Sequence, residues 1–302
     1  MVHVFIVDPE NCPPDYYNKL RDRLSQIPDL TYYVFTTGVA GDETELAHTA
    51  ETIFEGEQLR LYSCGNITTA RNIIDGIHDL SHIELAIVPQ SYVGYLSPFG
   101  EMEQFANIEN LIEGRIVHTD YIKTNHGLSL NSVAFGIEAY MYKTHDSIAS
   151  LKLFGRFVPW IMSNIHSMVT SPNHTYSIDV DDKSMIRKTT SIILGNVPGT
   201  TRFLRWSYDQ DITDGVGTYA FMYRAGFFSR FLYYFRKMRA IPMDESDERF
   251  FAVGQTVTLK VIDINLKPVL CSLDGKLVSA SEWKISVVKQ GIRLVVPKEA
   301  SL

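Results

Sequence analysis

The first 90 residues alternate between short apolar segments and amphipathic segments. The apolar segments are VHVFIV (2–7), LTYYVF (30–35), LRLYS (59–63) and IELAIVP (83–89). The segments between them have helical periodicity and are DYYNKLRDRLSQI (15–27), GDETELAHTAETIF (41–54) and TARNIIDGI (69–77). Parallel neighbouring strands need crossover connections, which are usually helices. This order therefore predicts a parallel α/β domain.

After about residue 114 the pattern changes to successive strands separated by Gly, Asn, Asp or Pro turns. The predicted strands are RIVHTDYIKT (115–124), LSLNSVAFG (128–136), TYSIDVDD (175–182), KTTSIILGN (188–196), GTYAFMYRA (217–225), TVTLKVIDI (256–264), VLCSLDG (269–275) and WKISVVKQGIRLVVP (283–297). Two helical intervals, 147–168 and 227–240, interrupt them. We therefore expect an α/β three-layer, nucleotide-binding-type domain over 1–114 and an antiparallel β-sandwich over 115–297. Residues 298–302 are expected to pack back on the first domain.

Charge and hydropathy limit the classes of function. A formal net charge of -7 over 302 residues argues against a nucleic-acid partner, because phosphate-binding surfaces carry a basic excess. The segment 151–169 carries Lys152 and Arg156, so its uninterrupted apolar stretch is too short to span a bilayer. We expect a cytoplasmic protein, with this segment forming a core-facing helix. Three widely spaced cysteines predict packed thiols rather than a disulfide framework.

Five motifs occur in an order that resembles the diacylglycerol kinase catalytic family, which includes bacterial soluble lipid kinases and sphingosine kinases. They are FTTGVAGDETELA (35–47), LSLNSVAFGIEAYM (128–141), DITDGVG (211–217), CSLDGK (271–276) and IRLVVP (292–297). The resemblance covers nearly the whole chain. It implies a two-domain fold with ATP in the cleft between the domains and a lipid hydroxyl as phosphoryl acceptor.

The family's kinase motifs are altered in this chain. Aligned without gaps, the family's G-G-D-G-T falls on 65–69, so Ile67 replaces the aspartate and Thr68 replaces a glycine. Tyr92 stands near the next phosphate-facing turn, where the family has threonine. Lys276 replaces the glutamate that the family offers as general base, and a lysine could serve only if it were buried. The altered motifs therefore leave no residue that we assign as catalytic.

The resemblance also implies a remnant of a nucleotide site and a structural metal loop. The remnant comprises Thr36, Thr37, Gly65, Asn66, Thr68, Thr69, Ser91 and Asp274. The metal loop would bind Mg²⁺ or Ca²⁺ through Asp211, Asp214 and the carbonyl of Val216, since hard cations take oxygen ligands. The alternative is an Asp-rich turn in which each carboxylate caps a backbone N–H. Histidines such as His118, His126, His145 and His166 show no metal-ligand spacing.

The segment FFSRFLYYFRKMRAI (227–241) combines aromatic and basic side chains at helical spacing. It fits either an amphipathic helix at an anionic membrane surface or a helix whose aromatic stripe packs on the sandwich.

Two functions remain open. In the first, the chain lacks ATP-dependent phosphotransfer and binds a lipid or phosphorylated metabolite in its cleft, with peripheral membrane contact. In the second, it is an active ATP-dependent lipid kinase with a rebuilt site. A homodimer is compatible with either.

Overall fold

A computed structural model describes residues 1–39, 41–149, 157–201, 204–205, 210–223, 226, 228–232 and 251–300. The chain forms two compact units. The first comprises residues 1–121 and 289–302, and the second comprises residues 122–288. The sequence pattern placed the boundary after residue 114. In the structure the divisions fall inside two strands, at Tyr121 and at Lys289.

The first unit contains the predicted alternation of strands and helices. Its strands are β1 (Val2–Val7), β2 (Tyr32–Thr36), β3 (Leu59–Gly65) and β4 (Ile83–Pro89). Its helices are α1 (Tyr16–Leu24), α2 (Asp42–Ile53), α3 (Ile67–Asp75), α4 (Met102–Ala106) and α5 (Ile108–Ile112), with a 3-10 turn at Gly94–Phe99. The α/β part of the predicted fold class is confirmed.

The strands of this unit are parallel, in the order β4, β3, β1, β2. Residues 293–295 add a further parallel segment beside β4. Because the chain goes from β1 to β2 on one side and then to β3 on the other, the strand order reverses between β1 and β3. Ligands of open α/β sheets bind outside the carboxyl ends of the strands at such a reversal.

Helices α2 and α3 approach each other closely at Gly76. A Cβ atom at this position would lie 2.1 Å from the carbonyl oxygen of Thr44. The Thr44 hydroxyl also donates to the carbonyl of Asn72, 3.1 Å away. Glycine is therefore required at position 76 by helix packing.

The second unit is rich in antiparallel strands. Counting the strands at its borders, its elements are β5 (Arg115–Thr124), β6 (Gly127–Ser129), β7 (Ser132–Gly136), α6 (Ile137–Ala149), α7 (Phe157–Thr170), β8 (His174–Val180), β9 (Lys183–Gly195), β10 (Gly199–Thr201), β11 (Leu204–Arg205), β12 (Gly217–Tyr223), β13 (Phe251–Thr256), β14 (Thr258–Asp263), β15 (Val269–Leu273), β16 (Lys276–Ala280) and β17 (Glu282–Val296). Strand β9 pairs antiparallel with β7, β8 and β12. A core around Trp283, Phe135 and Phe221 holds the strands together. The predicted antiparallel β domain is confirmed.

Two helices replace the single helical interval predicted at 147–168. Helix α6 begins at Ile137, ten residues earlier than predicted, because its apolar residues Ile137 and Ala139 are buried. Helix α7 follows from Phe157, and residues 150–156 lie outside the described part of the chain.

Helix α7 has a buried face, which includes Met168, but several of its apolar side chains point outward. Its exposed side chains include Val158, Met162, Ile165 and Val169. Its buried face carries Ser163 and Ser167, whose hydroxyls donate to the carbonyls of Pro159 and Asn164 within the same helix. Because these hydroxyls are hydrogen-bonded within the helix, the two serines can lie on its buried face without an unpaired polar group.

Of the predicted segment 227–241, the structure describes only residues 228–232, which are helical. Phe228 and Phe231 are exposed, whereas Arg230 is buried and donates to the carbonyls of Met168 and Ser171. Within the described residues, none of the helices is long and apolar enough to cross a membrane.

Candidate functional site

The candidate site of the first unit lies where β1 and β3 end, at the reversal of strand order. Asp8 follows β1, and Asn66 and Thr69 lie at the start of α3 after β3. The backbone joins the two strand ends, since the Asp8 amide donates to the carbonyl of Cys64 at 3.0 Å.

Asp8 is the central acceptor of this site. It is only 6% exposed. One carboxylate oxygen, Oδ2, accepts hydrogen bonds from the Thr69 hydroxyl at 2.8 Å and from the Asn11 amide at 2.6 Å. The other, Oδ1, accepts the backbone N–H of Glu10 at 3.0 Å. The carboxylate thus ties the β1 loop to the first turn of α3.

The amino terminus of α3 is closed by its own side chains. The amide oxygen of Asn66 accepts the backbone N–H groups of Thr68 and Thr69, at 2.8 and 3.1 Å. In return the Thr69 hydroxyl accepts the backbone N–H of Asn66 at 3.3 Å, which completes a capping box. A phosphate at a helix amino terminus is bound by these same first N–H groups. Here Asn66 takes the place of such an anion.

Gly65 is required by packing inside this turn. A Cβ atom at position 65 would lie 2.4 Å from the Thr69 hydroxyl oxygen and 2.9 Å from the Thr69 Cβ atom. Thr69 therefore fills the space over Gly65. The family resemblance implied that a phosphate would enter this turn.

The neighbouring turn between β2 and α2 is closed in a similar way. The Asp42 carboxylate accepts the N–H groups of Gly38 and Val39, at 2.8 and 2.9 Å. Next to it, Glu43 is 2% exposed and accepts from the Asn72 amide at 3.0 Å. Burial raises the pKa of Glu43, and the nearby charge of Asp8 adds to this rise, although hydrogen bonds to its carboxylate oppose it.

Two buried carboxylic side chains, Asp8 and Glu43, thus lie behind the carboxyl ends of β1 and β2. They repel a phosphate when ionised, and the helix N–H groups that would bind one are already capped. The predicted residues Thr36 and Thr37 end β2 nearby; Thr36 is exposed, and the Thr37 amide donates to the carbonyl of Val7. The geometry fits a turn closed by its own side chains better than a phosphate loop.

The turn after β4 is built differently from a phosphate-facing turn. Ser91 is exposed, and Tyr92 is partly buried. Tyr95 is fully buried, and its hydroxyl lies 2.6 Å from the Thr119 hydroxyl and 2.7 Å from the carbonyl of Asp120. Tyr95 therefore serves as a core residue of the first unit.

In the second unit, Asp274 has a structural environment. Its buried carboxylate accepts the backbone N–H groups of Leu130, Asn131 and Ser132. Burial raises the pKa of Asp274, and these N–H groups oppose the rise. Lys276, two residues later, is exposed at the start of β16, so it lacks the burial that a lysine base needs.

The predicted metal loop in the second unit has the hydrogen bonds of a turn. One Asp211 oxygen accepts the backbone N–H of Thr213 at 2.8 Å, and one Asp214 oxygen accepts that of Val216 at 2.8 Å. The Val216 carbonyl accepts from the Gln210 amide at 2.6 Å. Both carboxylates are exposed. This pattern favours the alternative of an Asp-rich turn, and the cation site stays a prediction of the family resemblance.

Of the predicted residues, the structure brings Gly65, Asn66 and Thr69 together around one turn. Sequence reasoning missed Asp8 and Glu43, the two buried acids of this site. A usable signal was present, because Asp8 directly follows the first apolar strand, at the sheet edge where ligand sites form.

Structural comparison shows what this fold resembles. Three solved structures of proteins from Bacillus anthracis str. Sterne match the chain, two described provisionally as diacylglycerol kinases and one described as a diacylglycerol kinase. The first has a TM-score of 0.74 at 16% identity and covers 98% of this chain and 95% of its own. The one described without qualification has a TM-score of 0.67 at 13% identity, with 98% and 97% covered. The third has a TM-score of 0.70 at 14% identity, with 97% and 96% covered.

The chain therefore has the two-domain fold of these diacylglycerol kinase structures, as the motif order predicted. No protein-family model and no curated protein sequence matches it. At this level of identity the similarity shows the fold, and function has to be argued from the site.

Proposed function

We propose that this protein is lipid-kinase-like in fold, lacks ATP-dependent phosphotransfer and binds a lipid. The observation that carries the first part is the closed amino terminus of α3. Phosphoryl transfer depends on positioning the phosphates and neutralising their charge. In this turn Asn66 caps the N–H groups, Asp8 adds a buried carboxylate, and Ile67 offers no ligand for a metal ion.

Helix α7 supports a lipid partner. Val158, Met162, Ile165 and Val169 follow the spacing i, i+4, i+7 and i+11, which places them on one face of a helix. That face is exposed, with Ile165 at 53% and Val169 at 61%. Fully burying an exposed side chain of this kind is worth about 1.5–3 kcal/mol, so each of these half-exposed side chains gains about 1 kcal/mol when it is covered. An acyl chain or a membrane surface supplies such surroundings.

The helical residues 228–232 add to this argument. Phe228 is 86% exposed, and Phe231 and Leu232 are also exposed. Like α7, this segment turns apolar side chains outward, and Arg230 reaches back to the end of α7. Aromatic side chains at a surface suit the interface of a lipid bilayer.

The nucleotide part of the proposal is tested by calorimetry with ATP and Mg²⁺. We expect an affinity weaker than about 1 mM, because the phosphate ligands are capped or replaced. A phosphotransfer assay with diacylglycerol as acceptor should show no product above a protein-free control. Micromolar ATP binding with phosphorylation of the lipid would instead establish an active kinase with a rebuilt site.

A double variant tests the cause. Ile67→Asp with Thr68→Gly restores the residues that the family has in this turn. Improved ATP–Mg²⁺ binding would support the proposal that Ile67 and Thr68 weaken nucleotide binding in this protein. If affinity does not improve, the alignment of this turn with the family's motif is wrong.

The lipid part is tested by cosedimentation with vesicles of phosphatidylcholine, with and without phosphatidylglycerol. We expect more binding to the anionic vesicles and a decrease with salt, because basic residues accompany the apolar ones in 227–241. Ile165→Ser should reduce binding several-fold. Ile186→Ser is a matched control, since Ile186 is an exposed isoleucine on β9. Sedimentation with neither vesicle type would contradict the lipid proposal.

A further inference from the structure

A second group of functional side chains lies on the first unit, away from the carboxyl ends of the strands. His48 and Glu51 are three residues apart near the end of α2, and His78 follows α3. One ligand atom from each of the three lies within 4.8 Å of the others. The spacing of His48 and Glu51 puts both side chains on one helix face, because residues i and i+3 are neighbours there.

Glu51 is held in place by the loop that carries His78. Oxygen Oε2 of its carboxylate accepts the backbone N–H of His78, and Oε1 accepts that of Asp79, both at 3.0 Å. These two backbone donors fix the orientation of the Glu51 carboxylate.

Both imidazoles face the same oxygen of Glu51. Nδ1 of His78 lies 3.3 Å from Oε2, and Nδ1 of His48 lies 3.9 Å from it. The two rings lie edge to face, with 4.6 Å between their centroids. Ligand atoms about 2.0–2.2 Å from a tetrahedral ion are about 3.4 Å apart, so the His78–Glu51 distance already fits. The His48 side chain is 51% exposed, which leaves its ring room to turn.

The surroundings of this cluster favour a cation. The three residues line an open cavity of about 660 Å³ together with Glu55, Glu57, Asp79 and His82. Arg293 also borders the cavity, but its guanidinium donates to the Glu84 carboxylate and to the carbonyl of Ser81. Acidic side chains therefore dominate the electrostatics of the opening.

We propose that His48, Glu51 and His78 bind a divalent transition-metal ion, with Zn²⁺ as the best match. Two imidazole nitrogens and one carboxylate oxygen are ligands that zinc accepts, and three protein ligands leave a fourth position for water. Hard ions such as Mg²⁺ prefer a full set of oxygen ligands and fit this cluster poorly. The ion would link the end of α2 to the loop between α3 and β4.

The test is calorimetry of the full chain, freed of metal with EDTA, using Zn²⁺ as the titrant. We expect one saturable site, and at least about a tenfold loss of affinity in His78→Gln and in His48→Gln. Glu51→Gln keeps an oxygen for the loop N–H groups while removing the charge, and it should also weaken binding. His118→Gln is the control, because His118 is an exposed histidine of the same unit outside the cavity.

Two further measurements distinguish this site from weak surface binding. Zn²⁺ should raise the melting temperature by mass action, whereas equal concentrations of Mg²⁺ should not. Co²⁺ should give the visible absorption of a four-coordinate site, and His78→Gln should remove it. The proposal is overturned if the metal-free chain shows no saturable zinc binding, or if the double variant of His48 and His78 binds zinc as tightly as the wild type.

Discussion

The Thr69 hydroxyl donates a hydrogen bond to the Asp8 carboxylate, with 2.8 Å between Oγ1 and Oδ2. The two residues are 61 positions apart in the chain, and both are buried. This contact joins the end of β1 to the first turn of α3. It places an acid beside the turn that the family resemblance predicts as a phosphate loop, in keeping with the proposal that this turn does not bind a phosphate.

Thr69→Val should destabilise the protein by about 1–3 kcal/mol, because it removes the hydroxyl and leaves buried polar partners with one bond fewer. Chemical denaturation measures this change in the free energy of unfolding. Thr52→Val is the matched control, since Thr52 is exposed on α2, and its effect should stay within about 0.5 kcal/mol. Equal effects of the two substitutions would refute a structural role of the Asp8–Thr69 bond.

Gly65→Ala should destabilise the protein by about 1–3 kcal/mol, because the added methyl group would overlap the Thr69 side chain. Gly226→Ala provides a comparison, since a Cβ atom there would meet no described atom within 4 Å. Thermal melts of both variants check the difference. An unchanged melting temperature for Gly65→Ala would mean that Thr69 is not packed over Gly65.

The stability of the protein should fall as the pH is lowered from about 6.5 to about 4. Burial, aided by the charge of Arg60, lowers the pKa of His3 from 6.5 to about 4. The unfolded chain therefore takes up a proton in this range while the folded chain does not, and unfolding is favoured. His3→Gln should show a smaller decrease in melting temperature between pH 7 and pH 4.5. His118→Gln, at an exposed position, should follow the wild type.

Asp274→Asn should cost about 1–3 kcal/mol of stability, because an amide offers one acceptor oxygen and turns an NH₂ group toward backbone N–H donors. Asp214→Asn changes an exposed carboxylate and should cost less than about 0.5 kcal/mol. Denaturant titrations of both variants measure the contrast. If Asp274→Asn leaves the free energy of unfolding unchanged, the hydrogen bonds from residues 130–132 to the Asp274 carboxylate do not stabilise the protein.

Millimolar Mg²⁺ or Ca²⁺ should leave the melting temperature unchanged, because Asp211, Asp214 and the Val216 carbonyl already bond within their own turn. Differential scanning fluorimetry with each ion measures this. A rise in melting temperature that Asp214→Asn abolishes would instead establish the cation site that the family resemblance implies.

The sequence by itself determined the classes of secondary structure and their order. Period-two and period-3.6 hydrophobicity are local properties, so segments such as IELAIVP could be identified as strands without knowing their neighbours. The order of strands and helices then implied a parallel sheet followed by antiparallel strands. The shared motif order predicted the fold that the structural comparison confirms.

Tertiary structure decided which side chains meet and which face of a helix is covered. Asp8 and Thr69 come together only because β1 and β3 are adjacent, and His78 reaches Glu51 only because α2 packs on α3. The apolar stripe of α7 was readable from the sequence, but its pattern alone predicts burial. Its exposure depends on the small polar residues Ser163 and Ser167 facing inward. Contacts between distant residues and the covering of a face depend on packing, which local periodicity does not encode.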